Sequence, residues 1–224
     1  ALPISISVLK DEKIIIEVQK KIKEQIDILR ADAKFLLSYQ EKKLATDIMV
    51  NVKKLESTKL ALKEEPYYFK EKLRYVVPDV NKDIKPGVMR ITVKEAKNIK
   101  VNGPFSVVLL LPIHERKMIK MSTPEMNGPN CVFNFVKETG IIDLRLKEIL
   151  LKIKKEPVGV AIYSKRSKEP IVTAPLSISN LLEHHTVSSI VKFDEMPNAS
   201  VDIEISMHKS ISTQEHKEKE LIVY

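Results

Sequence analysis

The apolar residues of this chain change their period near Pro66. Before it, Ile15, Val18, Ile22, Ile26, Leu29, Ala33 and Leu36 recur in steps of three and four, a near-heptad stripe along one side of an α-helix. That stripe predicts a helix from about Lys10 to Tyr39. A second stripe follows at Leu44, Ile48, Val52, Leu55 and Leu62. Between them, Ser38, Tyr39, Gln40 and Glu41 read equally as a turn or as continued helix, since no Gly or Pro decides it. A turn gives an αα-hairpin in which each stripe buries the other. Continuation gives one long helix that must find its partner in a second chain as a coiled coil. Pro66 ends the second helix in either case, because it has no N–H to donate and its ring clashes with the preceding turn. Residues 1–65 therefore read as a helical hairpin or coiled coil.

Beyond Pro66 the signals are those of strands and turns. Strands are predicted over 88–93 after Pro86 and Gly87, over 105–111 after Asn102, Gly103 and Pro104, and over 117–121. Others follow over 131–135 after Gly128, Pro129 and Asn130, then over 158–163, 171–176, 190–193 and 201–205. Eight short strands separated by turn chemistry form an antiparallel sandwich. Two interruptions, 144–153 and 179–185, read as helical. The fold class is thus mixed, a helical hairpin followed by an all-β sandwich. Residues 66–85 are expected to be a linker, 86–209 the sandwich and 210–224 a polar tail, frayed around Glu215–Glu220.

Composition narrows the functions open to such a chain. With 43% hydrophobic and 30% charged residues it has the profile of a globular domain and not of a disordered one. Five glycines are too few for glycine-rich phosphate loops, and neither a Walker nor a dinucleotide fingerprint occurs. The net charge of +8 favours acidic partners in general, be they anionic lipid, an acidic protein surface or nucleic acid. A single cysteine, Cys131, forms no internal disulfide and fits a reducing compartment, hence an expected cytoplasmic location. No apolar run reaches the roughly 20 residues that span a bilayer. Ala1 in place of Met reads as the start of a fragment of a longer chain.

The strand order and its landmarks resemble the C2 family. "GVMRITVKEAKNIK" is similar to the opening strand and following turn of such domains, "GPFSVVLLLP" to the next strand, and "NGPNCVFNF" to the turn and strand after it. "GVAIYS" resembles the strand before the third top loop, "TAPLSISNLLEHH" a strand with a short helix, and "ASVDIEISMHKS" the closing strand. The resemblance covers about 120 residues, and it makes the expected sandwich C2-like. A narrower one concerns "ILRADAKFLLSYQEKKLATDIMVNVKKLESTKLALKEEP", similar to the helical-hairpin repeats of the coiled-coil and C2-domain family that includes Lethal giant discs. "YYFKEKLRYVVPDVNKD" followed by "MRITVKEAKNI" resembles that family's lead-in to its C2 domain. The chain departs from the family in having one hairpin and no glycine at the bend. The resemblance implies a hairpin that docks on an ESCRT-III subunit, in endosomal sorting.

If the C2 alignment holds, two loops occupy the places where calcium-dependent members assemble six to eight oxygen ligands. The first, 97–104, has no Asp or Glu, and the third, 164–170, has only Glu169 among three bases. Calcium binding is therefore excluded by this reading, and no cofactor is expected. Bases stand instead of acids: Lys97 and Lys100 on the first loop, Lys165, Arg166 and Lys168 on the third. Near an anionic bilayer each base contributes about 1 kcal/mol, so they are candidates for membrane binding. Arg116, Lys117 and Lys120 are a second candidate group, placed where lipid-binding C2 domains carry a lysine-rich face. Lys42, Lys43, Lys53 and Lys54 are the candidates for a protein partner of the hairpin. For each group the plainer account is a solvated face of a lysine-rich chain.

Catalytic chemistry is scattered. His184 and His185 are adjacent and point about 100° apart on a helix, so they do not chelate as an i, i+4 pair does. Cys131 lies in an apolar strand and reads as a packing thiol. Asp202 and Glu204 alternate with Val201, Ile203 and Ile205 and read as a solvated strand face. Nucleic acid is disfavoured as a partner because no aromatic stacking platform or recognition motif is present. The chain reads as a non-enzymatic binding module. One arrangement is an adaptor with a calcium-independent C2 module and a partner-binding hairpin. The alternative is a scaffold of a ciliary or centrosomal assembly, in which both parts make only protein contacts.

Overall fold

The computed structural model describes residues 6–8, 12–62, 67–69, 71–113 and 118–223. They form two compact units, one from Ala1–Asp79 with His216–Tyr224 and one from Val80–Glu215.

The first unit opens with strand β1 (Ile6–Val8), followed by helices α1 (Glu12–Ser38) and α2 (Lys42–Ala61). The chain turns between the helices, so the stripes bury each other and the hairpin is formed. Ile22, Leu29 and Leu36 of α1 and Val52 of α2 are fully buried, and each such side chain contributes about 1.5–3 kcal/mol of transfer free energy. Gln40 makes the turn in the left-handed region at φ 63°, while the Glu41 N–H donates to the Leu36 carbonyl at 3.0 Å. This is a Schellman-type closure, with a glutamine where glycine is usual. Pro66, expected to stop the second helix, lies outside the described residues.

Two expectations fail in this unit. Residues 66–85 are not simply a linker. They contain strand β2 (Tyr67–Phe69), which pairs with β1, and strand β3 (Glu71–Pro78). Nor is 210–224 a frayed tail, because strand β12 (His216–Val223) runs antiparallel to β3 from the pair Pro78–His216 to Glu71–Val223. Every second side chain of that ribbon turns toward the helices: Leu73, Tyr75 and Leu221 pack on the hairpin core, and Val223 is buried in it. The strand was illegible because its apolar face holds only two hydrophobic residues, with Lys219 in the third place. Lys219 donates to both carboxylate oxygens of Asp32 at 2.8 Å, Tyr75 Oη donates to Asp32 at 2.8 Å, and Gln25 Nε2 donates to the Ile222 carbonyl at 2.5 Å.

The second unit is an antiparallel sandwich of eight strands. They are β4 (Met89–Lys97), β5 (Phe105–Leu111), β6 (Ile119–Ser122), β7 (Cys131–Glu138), β8 (Val158–Ser164), β9 (Val172–Leu176), β10 (Thr186–Lys192) and β11 (Ser200–Met207). One sheet has the order β10-β11-β4-β7 and the other β6-β5-β8-β9. Alternate residues such as Ile91, Val93, Val107, Leu109, Val160, Ile162, Ile203 and Ile205 face inward and are wholly buried. Helix α3 (Lys147–Lys155) buries Ile149 and Ile153, and a 3-10 turn, Ser179–Leu182, replaces the longer helix expected over 179–185. Gly87 serves the turn before β4 at φ 78°, and a Cβ there would lie 3.2 Å from the Ile142 carbonyl oxygen.

Candidate functional site

Four connections leave the same end of the sandwich: 98–104 between β4 and β5, 123–130 between β6 and β7, 165–171 between β8 and β9, and 193–199 between β10 and β11. Asparagines lace three of them together. The Asn98 N–H donates to Asn130 Oδ1 at 2.9 Å, and Asn98 Nδ2 donates to the Asn198 carbonyl at 3.0 Å. Asn98 and Asn198 both lie in the left-handed region, at φ 56° and 69°, which asparagine tolerates better than most residues. The Ile99 N–H reaches the Pro129 carbonyl at 2.8 Å, and the Lys165 N–H reaches Pro104 at 3.0 Å. This lattice gives the loops a fixed floor.

The structure brings Lys97, Lys100, Lys165, Arg166 and Lys168 to this rim, all exposed. They are not equivalent. Lys97 is ion-paired with Glu95, and Lys165 with Glu125 at 3.2 Å. Among the described residues, no ion pair is recorded for Lys100, Arg166 or Lys168. Sequence reasoning saw Glu169 on the third loop but missed the other acids that share the rim. Glu125, Glu169, Asp194 and Glu195 sit on the connecting loops and face four bases there, Lys100, Lys165, Arg166 and Lys168, while Lys97 ends β4 beside its partner Glu95. Glu125, Asp194 and Glu195 are far from the bases in sequence, and only the sandwich topology gathers them. Thus the basic character concentrates on the β8–β9 loop and Lys100. Among the described residues no group of three or more His, Cys, Asp or Glu side chains stands close enough to hold a metal ion.

Of the second basic group, Arg116 and Lys117 lie outside the described residues. Lys120 is exposed on β6 and holds its ammonium 5.3 Å from the centroid of the Tyr163 ring, a cation–π distance. On the hairpin, Lys42, Lys43, Lys53 and Lys54 all project from the solvent side of α2. Their spacing of eleven residues is close to three turns, so Lys42 and Lys53 form one row and Lys43 and Lys54 the next. Exposed Met49, Val50 and Leu60 lie on the same side. At about 100° per residue Met49 and Leu60 fall in the Lys42–Lys53 row and Val50 near the Lys43–Lys54 row, so the lysines and the apolar side chains alternate along the helix.

His184, His185, Cys131 and Glu204 have structural partners. His184 Nδ1 stands 2.8 Å from Glu215 Oε1, and the His185 N–H donates to Glu215 Oε2 at 2.7 Å. Cys131 is buried with its sulfur 3.3 Å from the Asn127 carbonyl, and burial pushes its thiol up from the ordinary range. A thiol so placed is a poor nucleophile. Lys94 donates to Glu204 at 2.8 Å across the outer face of the sheet, and that hydrogen bond lowers the Glu204 carboxyl below its usual value.

Neither a family model nor a curated protein sequence matches the chain. A solved structure of CC2D1B, described as coordinating ESCRT-III activity during the mitotic reformation of the nuclear envelope, aligns at TM-score 0.56 and 13% identity. The alignment covers 91% of this chain and 93% of that one. The β unit is a C2-like sandwich. At that identity the likeness is one of fold. The paired C2 domains of extended-synaptotagmin 2 also align, in the calcium-bound form at TM-score 0.41 and 13% identity over 55% of this chain and 42% of theirs. A second structure of the same pair aligns at TM-score 0.42 and 14% identity over 56% and 40%. Among the described residues, no helix is long and apolar enough to cross a membrane.

Proposed function

We propose that this protein is a non-enzymatic, cytoplasmic two-part adaptor. Its C2-like sandwich meets an anionic membrane through its own bases, without calcium, and its helical hairpin docks an acidic protein partner. The observation that carries the membrane half is the exposed trio Lys100, Arg166 and Lys168 on loops whose first member, 97–104, has no carboxylate at all. A calcium site needs several carboxylates from such loops, whereas three bases near anionic lipid supply at most about 3 kcal/mol of weak, salt-sensitive attraction, opposed by Glu169, Asp194 and Glu195 on the same rim.

The partner half is supported by the mixed basic and apolar face of α2. Exposed Met49, Val50 and Leu60 offer apolar contact, and Lys42, Lys43, Lys53 and Lys54 suit an acidic amphipathic helix laid beside them. The work of CC2D1B on ESCRT-III makes an ESCRT-III subunit the partner to try first. The test is capture of a purified ESCRT-III subunit by the full chain, and by the chain with those four lysines reversed to glutamate. Retention by the native chain and loss of at least tenfold in the variant supports the reading. Equal capture by both, or none by either, removes the hairpin from this role.

A further inference from the structure

We infer that Ser167 is a phosphorylation site for a basophilic serine/threonine kinase, and that its phosphate turns off anion binding by the rim. The inference rests on the reading of that rim as an anion-binding surface. Ser167 is exposed at the tip of the β8–β9 loop and has Lys165 and Arg166 before it and Lys168 after it. Basic residues on both sides of a serine are what an acidic kinase groove recognises. Ser210, which also follows a lysine, is buried at 2% exposure and is closed to a kinase.

The loop is anchored at its two ends and open between them. The Lys165 N–H donates to the Pro104 carbonyl at 3.0 Å, and the Ile171 N–H to the Ile162 carbonyl at 2.8 Å. Within it, Ser167 Oγ donates to the Glu169 carbonyl at 2.7 Å and accepts from the Glu169 N–H at 3.2 Å. This turn, and the one closed by the Ser167 N–H on the Ser164 carbonyl at 3.1 Å, have to open for the hydroxyl to reach a nucleotide. Ser167 Oγ then attacks the γ-phosphorus of ATP, and the bond from that phosphorus to the β–γ bridging oxygen breaks. ADP leaves with the electron pair, and the hydroxyl proton passes to the catalytic base of the kinase.

The consequence is electrostatic. The connecting loops carry four bases against four acids, and a phosphate adds about −1.5 to −2 charge, which makes the rim net negative. It does so beside Arg166 and Lys168, which are drawn to the phosphate and away from lipid.

The full chain, native and S167A, is treated with ATP and constitutively active protein kinase A or protein kinase C, and sites are mapped by mass spectrometry. Flotation with vesicles of equimolar phosphatidylcholine and phosphatidylserine is measured before and after. The expected result is phosphate on Ser167 of the native chain, with a fall in vesicle binding of roughly tenfold or more, and no fall for S167A. No phosphate on Ser167 from either kinase overturns the site. Phosphate on Ser167 with unchanged binding overturns the switch. If the untreated chain does not bind vesicles while Ser167 is modified, the anionic-surface reading fails and the switch with it, but the modification site stands.

Discussion

Asp32 is 8% exposed on α1 and accepts hydrogen bonds from groups on the β3–β12 ribbon, Tyr75 and Lys219. Burial, then the hydrogen bond to Asp32 and its charge, hold the Tyr75 hydroxyl far above the usual tyrosine value. Asp32→Ala leaves a partly buried ammonium and a phenol without their acceptor, and the expected cost is about 2 kcal/mol in urea denaturation. A loss below a few tenths contradicts the role given to this carboxylate. Glu204 supplies a pH signature. Its folded-state carboxyl is lowered, first by the Lys94 hydrogen bond, so its contribution is present above the unfolded value near about 4.3 and is lost as pH falls through the lowered folded value. The pair is partly exposed, so Lys94→Met is expected to cost under about 1 kcal/mol at neutral pH. The difference from the native chain should vanish in acid, as denaturation midpoints from neutral pH down through the carboxylate range will reveal.

The elements differ in how much of them was written locally. Helices α1 and α2 were legible because Ile22, Leu29, Leu36 and Val52 repeat a period that only a helix satisfies. The turn between them was not, because Gln40 takes a conformation that sequence reserves for glycine. Gln40→Gly should therefore raise stability by about 1 kcal/mol, whereas Gln40→Val should lower it, both readable from denaturation midpoints. Strand β5 was legible to the residue, since Phe105–Leu111 is apolar but for Ser106 and lies between clear turns. Strand β12 was not, because it pairs with β3, 138 residues away at the pair Pro78–His216, and its lysine-rich alternation resembles a tail. Its polar neighbours left a signal all the same: Gln25 and Asp32 lie seven apart beside the apolar stripe, on the side of α1 that the ribbon covers. Ending the chain after Glu215 is expected to remove hydrogen-exchange protection from α1 and β3 while β4, β5, β8 and β11 keep theirs. Equal loss in the sandwich contradicts the assignment of β12 to the first unit.

For the molecule as a whole, alternation and turns were enough for the sandwich, because its inner faces are almost purely apolar and most strands have Gly, Pro or Asn close to one or both ends. The rim was half legible. Lys165, Arg166 and Lys168 are neighbours in sequence and declare themselves, whereas Glu125, Asp194 and Glu195 join them only through the order of the sheets. That distribution predicts which charges matter. Arg166 and Lys168 should dominate, and Lys97 and Lys165, already paired with Glu95 and Glu125, should matter less. The most direct measurement is flotation of the full chain with phosphatidylserine-containing vesicles, in chelator, over a series of salt concentrations. The account predicts binding that needs no calcium, falls steadily with salt, and drops at least tenfold for the combined Arg166→Glu and Lys168→Glu variant. Binding that appears only when calcium is added, or that persists in that variant, contradicts it.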